Sequence, residues 1–354
     1  MSRTALACLL LLAPAIAACG AEPAPNASRT PSERETLLAR VGASLVAVDA
    51  RTGRTRHGVP LGAHDASLDA VYTTTGGDAR TTTVIATDPV SGRQLRSIEV
   101  PGRWMIPVAA GSTPDGALSG DGEVLALAGP SSEAESRFGL LATELTSPPR
   151  RFTLRGRFHF DAMAPDGSAL YLSQIRDDGH YRVRAYDVDR GELRPQVVVE
   201  KTALGLLMEG VPVARAVDPT GSPVHTLYRG GPVGAFVHSL NTQQGTALCI
   251  FLPDSRRAGP DWRLALDTRL GELHALNRGL GAHYVIDPRS GEVTPAPPSA
   301  PPPALAAPGP GGIRTYAVEP GGTIAVRDGA GTRIATLPSP GADAELLAVR
   351  RGGA

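Results

Sequence analysis

Apolar and polar residues alternate in short runs along most of the chain, and the runs end in Asp, Asn, Pro or Gly. A period of two marks half-buried strands, and the punctuation marks tight turns. One unit recurs: an apolar strand closing on Asp or Asn, three residues, then Gly and another strand. It reads at Val46–Asp49…Gly53, Ile85–Asp88…Gly92, Arg184–Asp187…Gly191, His238–Asn241…Gly245 and Tyr284–Asp287…Gly291. A weaker copy is Ile324–Arg327…Gly331. Asp or Asn can cap such a hairpin through its side chain, and Gly takes the left-handed position that closes it. A second unit, strand, tight turn, strand, precedes the first. It occurs at Ala162–Leu172, Ala117–Leu127, Ala216–Gly221 and Leu264–Gly271.

Together the units place four short strands in roughly every 40 to 55 residues, the period of propeller blades. The expected fold is all-β, a seven-bladed β-propeller within residues 36–354. Blade 1 draws its outer three strands from about 36–62. The others span 63–102, 103–156, 157–201, 202–254, 255–298 and 299–340. Glu345–Val349 has no partner of its own. It is expected to complete blade 1 as the innermost strand, which closes the ring and removes open sheet edges. The proline-rich stretch 294–310 reads as a long connection between blades 6 and 7 rather than a domain linker. The strand–Asp-x-x-x-Gly–strand unit, with Pro165-Asp166-Gly167, resembles the YVTN and TolB-like class of bacterial propellers. That resemblance implies architecture only. Blade 3 departs from it, with Glu144…Pro148 in place of the Asp-x-x-x-Gly turn.

The N-terminus follows a different pattern. Arg3 precedes an apolar run, Thr4–Ile16, too short to span a membrane but suited to a signal peptide. Ile16-Ala17-Ala18-Cys19-Gly20 then resembles the bacterial lipobox. That resemblance implies cleavage after residue 18 and diacylglycerol on Cys19, a stable anchor when two chains insert. Residues 19–35 lack apolar periodicity and read as a flexible tether. The expected address is the extracytoplasmic side of a cell membrane. Cys249 is then the one remaining cysteine, in an apolar run that suits a buried thiol.

Composition narrows the function. Net charge is zero, which argues against a nucleic-acid binder. None of the eight histidines sits in a metal-binding motif, and no helix-opening glycine loop or Gly-x-Ser-x-Gly elbow is present. No catalytic residue, metal or cofactor is therefore expected, although His225 and His274 occupy equivalent blade positions. The candidate binding face comprises Arg103 and Trp104, Phe158 and His159, Arg215, and Trp262 with Arg263. All fall where chain enters the first strand of a blade, and Trp and Arg are frequent interface anchors. The competing reading is that both tryptophans simply pack between blades. The leading reading is a non-catalytic module for a protein or envelope partner. Alternatives are a propeller lyase using His159 and Asp161, a quinoprotein, or a sensor holding a small ligand in the channel.

Overall fold

A computed structural model describes residues 35–76, 80–110, 116–177, 181–200, 210–230, 234–253, 255, 261–267, 270–277, 279, 281–297, 305–309, 312–319, 322–341 and 343–351. The expected signal peptide (1–18), Cys19 and all of the expected tether but Glu35 lie outside these residues.

Seven antiparallel sheets stand in a ring. Blade 1 holds β1 (Glu35–Val41), β2 (Ser44–Asp49) and β3 (Thr55–Pro60). Blade 2 holds β4 (Val71–Thr75), β5 (Thr81–Thr87) and β6 (Gln94–Pro101). Blade 3 holds β7 (Val124–Ala128), β8 (Glu135–Ala142) and β9 (Arg150–Arg155). Blade 4 is β10 (Arg157–Met163), β11 (Ala169–Ile175), β12 (Tyr181–Asp187) and β13 (Glu192–Glu200). Blade 5 is β14 (Val211–Val217), β15 (Val224–Arg229), β16 (Phe236–Asn241) and β17 (Thr246–Phe251). Blade 6 is β18 (Trp262–Asp267), β19 (Glu272–Asn277), β20 (Ala282–Ile286) and β21 (Val293–Pro295). Blade 7 is β22 (Leu305–Gly309), β23 (Gly312–Val318), β24 (Ile324–Arg327) and β25 (Arg333–Leu337). The last strand, β26 (Glu345–Arg351), pairs with β1 and gives blade 1 the order β26-β1-β2-β3. The ring is thus closed by the strand that the sequence left without a partner.

The hairpins form for the reason their residues suggest. In blade 1, Asp49 Oδ1 accepts the backbone N–H groups of Arg51 and Thr52 at 3.1 and 2.9 Å. Gly53, at φ +70°, donates its N–H to the Asp49 carbonyl at 2.8 Å. Burial opposes the charge on Asp49, but the Arg56 guanidinium and the donors from Thr52 and Arg51 outweigh it and hold the carboxyl at about 2. Asp287 caps its turn in the same way. In blade 7 the cap is Asp328 rather than Arg327, and the turn is one residue shorter, with Gly331 bonded to the Asp328 carbonyl.

Four antiparallel strands per blade divide the connections between two rims. Turns between first and second strands, and between third and outermost strands, share one rim, here the hairpin rim. The links between blades share the other, the crossover rim, with the turns between second and third strands. β1 begins at the hairpin rim, where the Ala50 N–H reaches the Glu35 carbonyl at 3.1 Å.

Two blades depart from four regular strands. In blade 2 the innermost strand shrinks to one bridge, Ala63 to Tyr72. In blade 3 it is split: Met105 pairs with Ala128 at one end of β7, and Leu118 with Leu125 at the other. The stretch from Met105 to Leu118 is therefore an excursion within that innermost strand. Residues 111–115 of it lie outside the described residues, as do 298–304 of the proline-rich stretch. The end of that stretch, 305–309, is itself the innermost strand of blade 7.

Apolar faces meet between blades. Leu125, Leu127, Phe138, Leu141, Leu170 and Leu172 are buried in one cluster across blades 3 and 4. Each such side chain contributes roughly 1.5–3 kcal/mol by leaving water. Leu37, Val48, Tyr316, Ile324, Val326 and Leu337 fill the seam between blades 1 and 7. Beside them Arg314 meets buried Glu35 at 3.0 Å, and the Tyr316 hydroxyl donates to the same carboxylate at 2.9 Å. Burial, and then the Glu35 charge, push the Tyr316 phenol up, so it stays a donor. Arg350 of β26 reaches Asp69 at 2.8 Å and so ties the closing strand to blade 2 as well.

Candidate functional site

The sequence-selected residues separate into buried and accessible groups. Trp262 is 5% exposed and stacks on Tyr284 at 6.3 Å between ring centroids. It packs with Leu264, Leu273 and Ile286 in the blade 5–6 core. Phe158 is 4% exposed. Neither side chain can anchor a partner without leaving the core, so packing explains both.

Arg215 is buried as well. From β14 it donates to Thr226 Oγ1 at 3.0 Å, to the backbone carbonyl of Asp161, and to Asp161 Oδ1 at 3.4 Å. It therefore fastens blade 5 to blade 4, and Asp161 is spent on it. A register shift between Phe160 and Ala162 in the β10–β11 pairing accompanies this inward carboxylate. His159 remains exposed on β10, and partial desolvation, then the Arg157 charge, lower its pKa. Arg263 pairs with Asp343 at 3.0 Å, linking blade 6 to the connection before β26.

Arg103 and Trp104 behave differently. They line an open cleft of about 570 Å³ with Pro101, Gly102, Pro130, Arg137, Arg151, Phe152 and Thr153. The cleft sits on the crossover rim where blade 2 passes into blade 3. The local chain explains the geometry. Gly102 turns at φ +100° and gives its carbonyl to Thr82 Oγ1 at 3.0 Å. The same hydroxyl accepts the Trp104 N–H at 2.9 Å. Blade 4 repeats this device: Gly156 turns at φ +97°, and Ser136 Oγ links its carbonyl to the Phe158 N–H. Trp104 and Phe158 are thus equivalent positions with different fates.

Glycines make the difference. A Cβ on Gly129 would lie 3.2 Å from Trp104 Cζ3, and one on Gly139 would lie 3.4 Å from it. These missing side chains seat the indole on the flank of blade 3. One carbonyl then fixes the cleft wall. Pro101 O accepts both Trp104 Nε1 and Arg151 Nη2 at 3.0 Å. The Arg151 guanidinium lies 5.4 Å from the Trp104 ring centroid, a cation–π contact. Arg137 donates to Glu135 at 2.9 Å, and no described residue pairs with Arg103. Sequence reasoning missed Arg137, Arg151 and the seating glycines, which lie in three separate segments of blade 3.

The histidines show one further cluster. His274 Nδ1 lies 2.9 Å from His283 Nε2, both buried in blade 6. His274 therefore meets a neighbour on the adjacent strand, which equivalence with His225 did not foresee. Burial lowers both pKa values, so a neutral ring donates to its neutral neighbour. Among the described residues no group of three His, Cys, Asp or Glu is arranged to hold a metal ion.

No protein-family model matches the chain, and no curated protein matches it. Solved structures do. Hydrazine synthase of Kuenenia stuttgartiensis is similar at 17% identity and TM-score 0.47, over 82% of this chain and 91% of that one. AztD from Citrobacter koseri is similar at 12% identity and TM-score 0.46, over 89% and 96% of the two chains. TolB from Acinetobacter baumannii is similar at 12% identity and TM-score 0.44, over 75% and 64%.

Proposed function

We propose that this chain is an extracytoplasmic lipoprotein, anchored through Cys19, whose propeller is a non-catalytic binding module for a protein partner. The partner seats on the crossover rim at the Trp104 cleft. The observation that carries this reading is the cleft itself. Of the aromatic and arginine positions marked in the sequence, Arg103 and Trp104 are the pair that line an open, preformed depression, and such residues dominate interface energetics. The anchor rests on the lipobox resemblance. A tether leaving the hairpin rim at Glu35 would turn the crossover rim away from the lipid.

Two measurements test the parts separately. Cells fed an alkyne-tagged palmitate should label the wild-type protein and not Cys19→Ala; equal labelling of both removes the anchor. Cross-linking in living cells followed by capture should recover a specific partner from wild type and lose it from Trp104→Ala, with the circular dichroism of the two unchanged. A partner indifferent to Trp104 sinks the binding-face reading.

A further inference from the structure

Resting on the reading of the crossover rim as the binding face, we infer that the Trp104 cleft takes an extended acidic peptide segment, whose carboxylates bind Arg103 and Arg151. The charged side chains lining the cleft are all arginine, and Thr153 adds a hydroxyl. No carboxylate lines it among the described residues. Of the three guanidinium groups, Arg137 is offset by Glu135. Among the described residues no carboxylate offsets Arg103 or Arg151, so the described lining of the cleft is positively charged.

Arg151 is also prepared for a planar anion. Its guanidinium is held over the indole and by one bond to Pro101 O, which leaves its other N–H groups for a ligand. A guanidinium fixed in this way matches a carboxylate through two parallel hydrogen bonds and loses little freedom on binding. Pro101, Pro130 and Phe152 supply apolar wall for the residues between the acids. A peptide suits this lining better than a saccharide. Sugar rings stack on open indole faces, and here Arg151 overlies the ring while its donor Nε1 is spent on Pro101.

The chain carries its own reporter. It has two tryptophans, and Trp262 is buried away from the cleft. Emission from Trp104 can be followed in the wild type and in Trp262→Phe. The probes are a capped Glu- and Pro-containing peptide, its Lys counterpart, polygalacturonate and inorganic phosphate. The acidic peptide should shift Trp104 emission saturably, and added salt should weaken the effect. Arg103→Gln and Arg151→Gln should each lose about tenfold in affinity with unchanged circular dichroism. Equal response to the Lys peptide, or saturation by polygalacturonate or phosphate without response to the acidic peptide, overturns the inference. If no probe shifts Trp104 while cellular capture still depends on it, the ligand class falls and the binding face stands. If the acidic peptide binds while the captured partner ignores Trp104, the face falls and the peptide site stands.

Discussion

Arg215 and Asp161 have no solvent to share their charges. The Arg215 side chain is fully buried and that of Asp161 is 4% exposed. Removing one partner leaves the other charged in a dry interface. Arg215→Ala should therefore cost about 3–5 kcal/mol, seen as a lower midpoint in urea unfolding. A surface arginine such as Arg103 should change the midpoint little when replaced by Gln. Buried His225 gives the second residue-scale expectation. Burial lowers its pKa from 6.5 to about 4, with the Asp218 charge opposing the shift and Arg215 assisting it. The unfolded chain takes up this proton near pH 6.5 and the folded chain only near 4. Stability is fully present above that window and falls as the pH drops through it, by about 3 kcal/mol. His274 and His283 act in the same direction. Urea unfolding at pH 7 and pH 4.5 should show this loss in the wild type and a smaller one in His225→Leu. Identical losses would clear His225 of the role.

Among the elements, blade 3 repays comparison with the others. Its first hairpin was legible because Asp121, Gly122 and the alternating apolar residues beside them encode a local turn, and a local turn needs no knowledge of the rest of the chain. The split of its innermost strand was not, because the pairing of Met105 with Ala128, 23 residues on, is a long-range choice, unlike the local pairing of Leu118 with Leu125. The candidate face was half legible for a related reason. A Trp or Arg near the start of a blade looks the same in sequence whether it points into a cleft or into the core. What separates Trp104 from its counterpart Phe158 is the absence of side chains at Gly129 and Gly139, which only the packed sheet brings under the indole. Gly129→Val should crowd that seat and push the indole toward solvent. A red-shifted Trp104 emission with an unchanged far-ultraviolet spectrum would bear this out, and an unshifted emission would show that the seat has room to spare.

For the whole molecule, stability depends on the ring being shut. Without β26, the inner edge of β1 loses its ladder, and Arg350 no longer reaches blade 2. A variant ending at residue 344 should unfold at lower urea concentration and lose a single cooperative transition, since blades 1 and 7 would open ahead of the rest. Differential scanning calorimetry would show this as a broadened or divided peak. One sharp peak near the wild-type midpoint would mean that the remaining blades hold the ring by face-to-face packing alone.

The same closure sets a clock on biosynthesis. Arg40 in β1 waits for Glu345, 305 residues further along the chain. At translation speeds of roughly 5–20 residues per second, that partner follows about 15–60 s behind. Until then β1 lacks the strand that pairs with its inner edge, and the ring cannot close. On the export route proposed above, a secretion machine that threads unfolded polypeptide would thus meet a substrate that has not yet been able to lock itself into a ring.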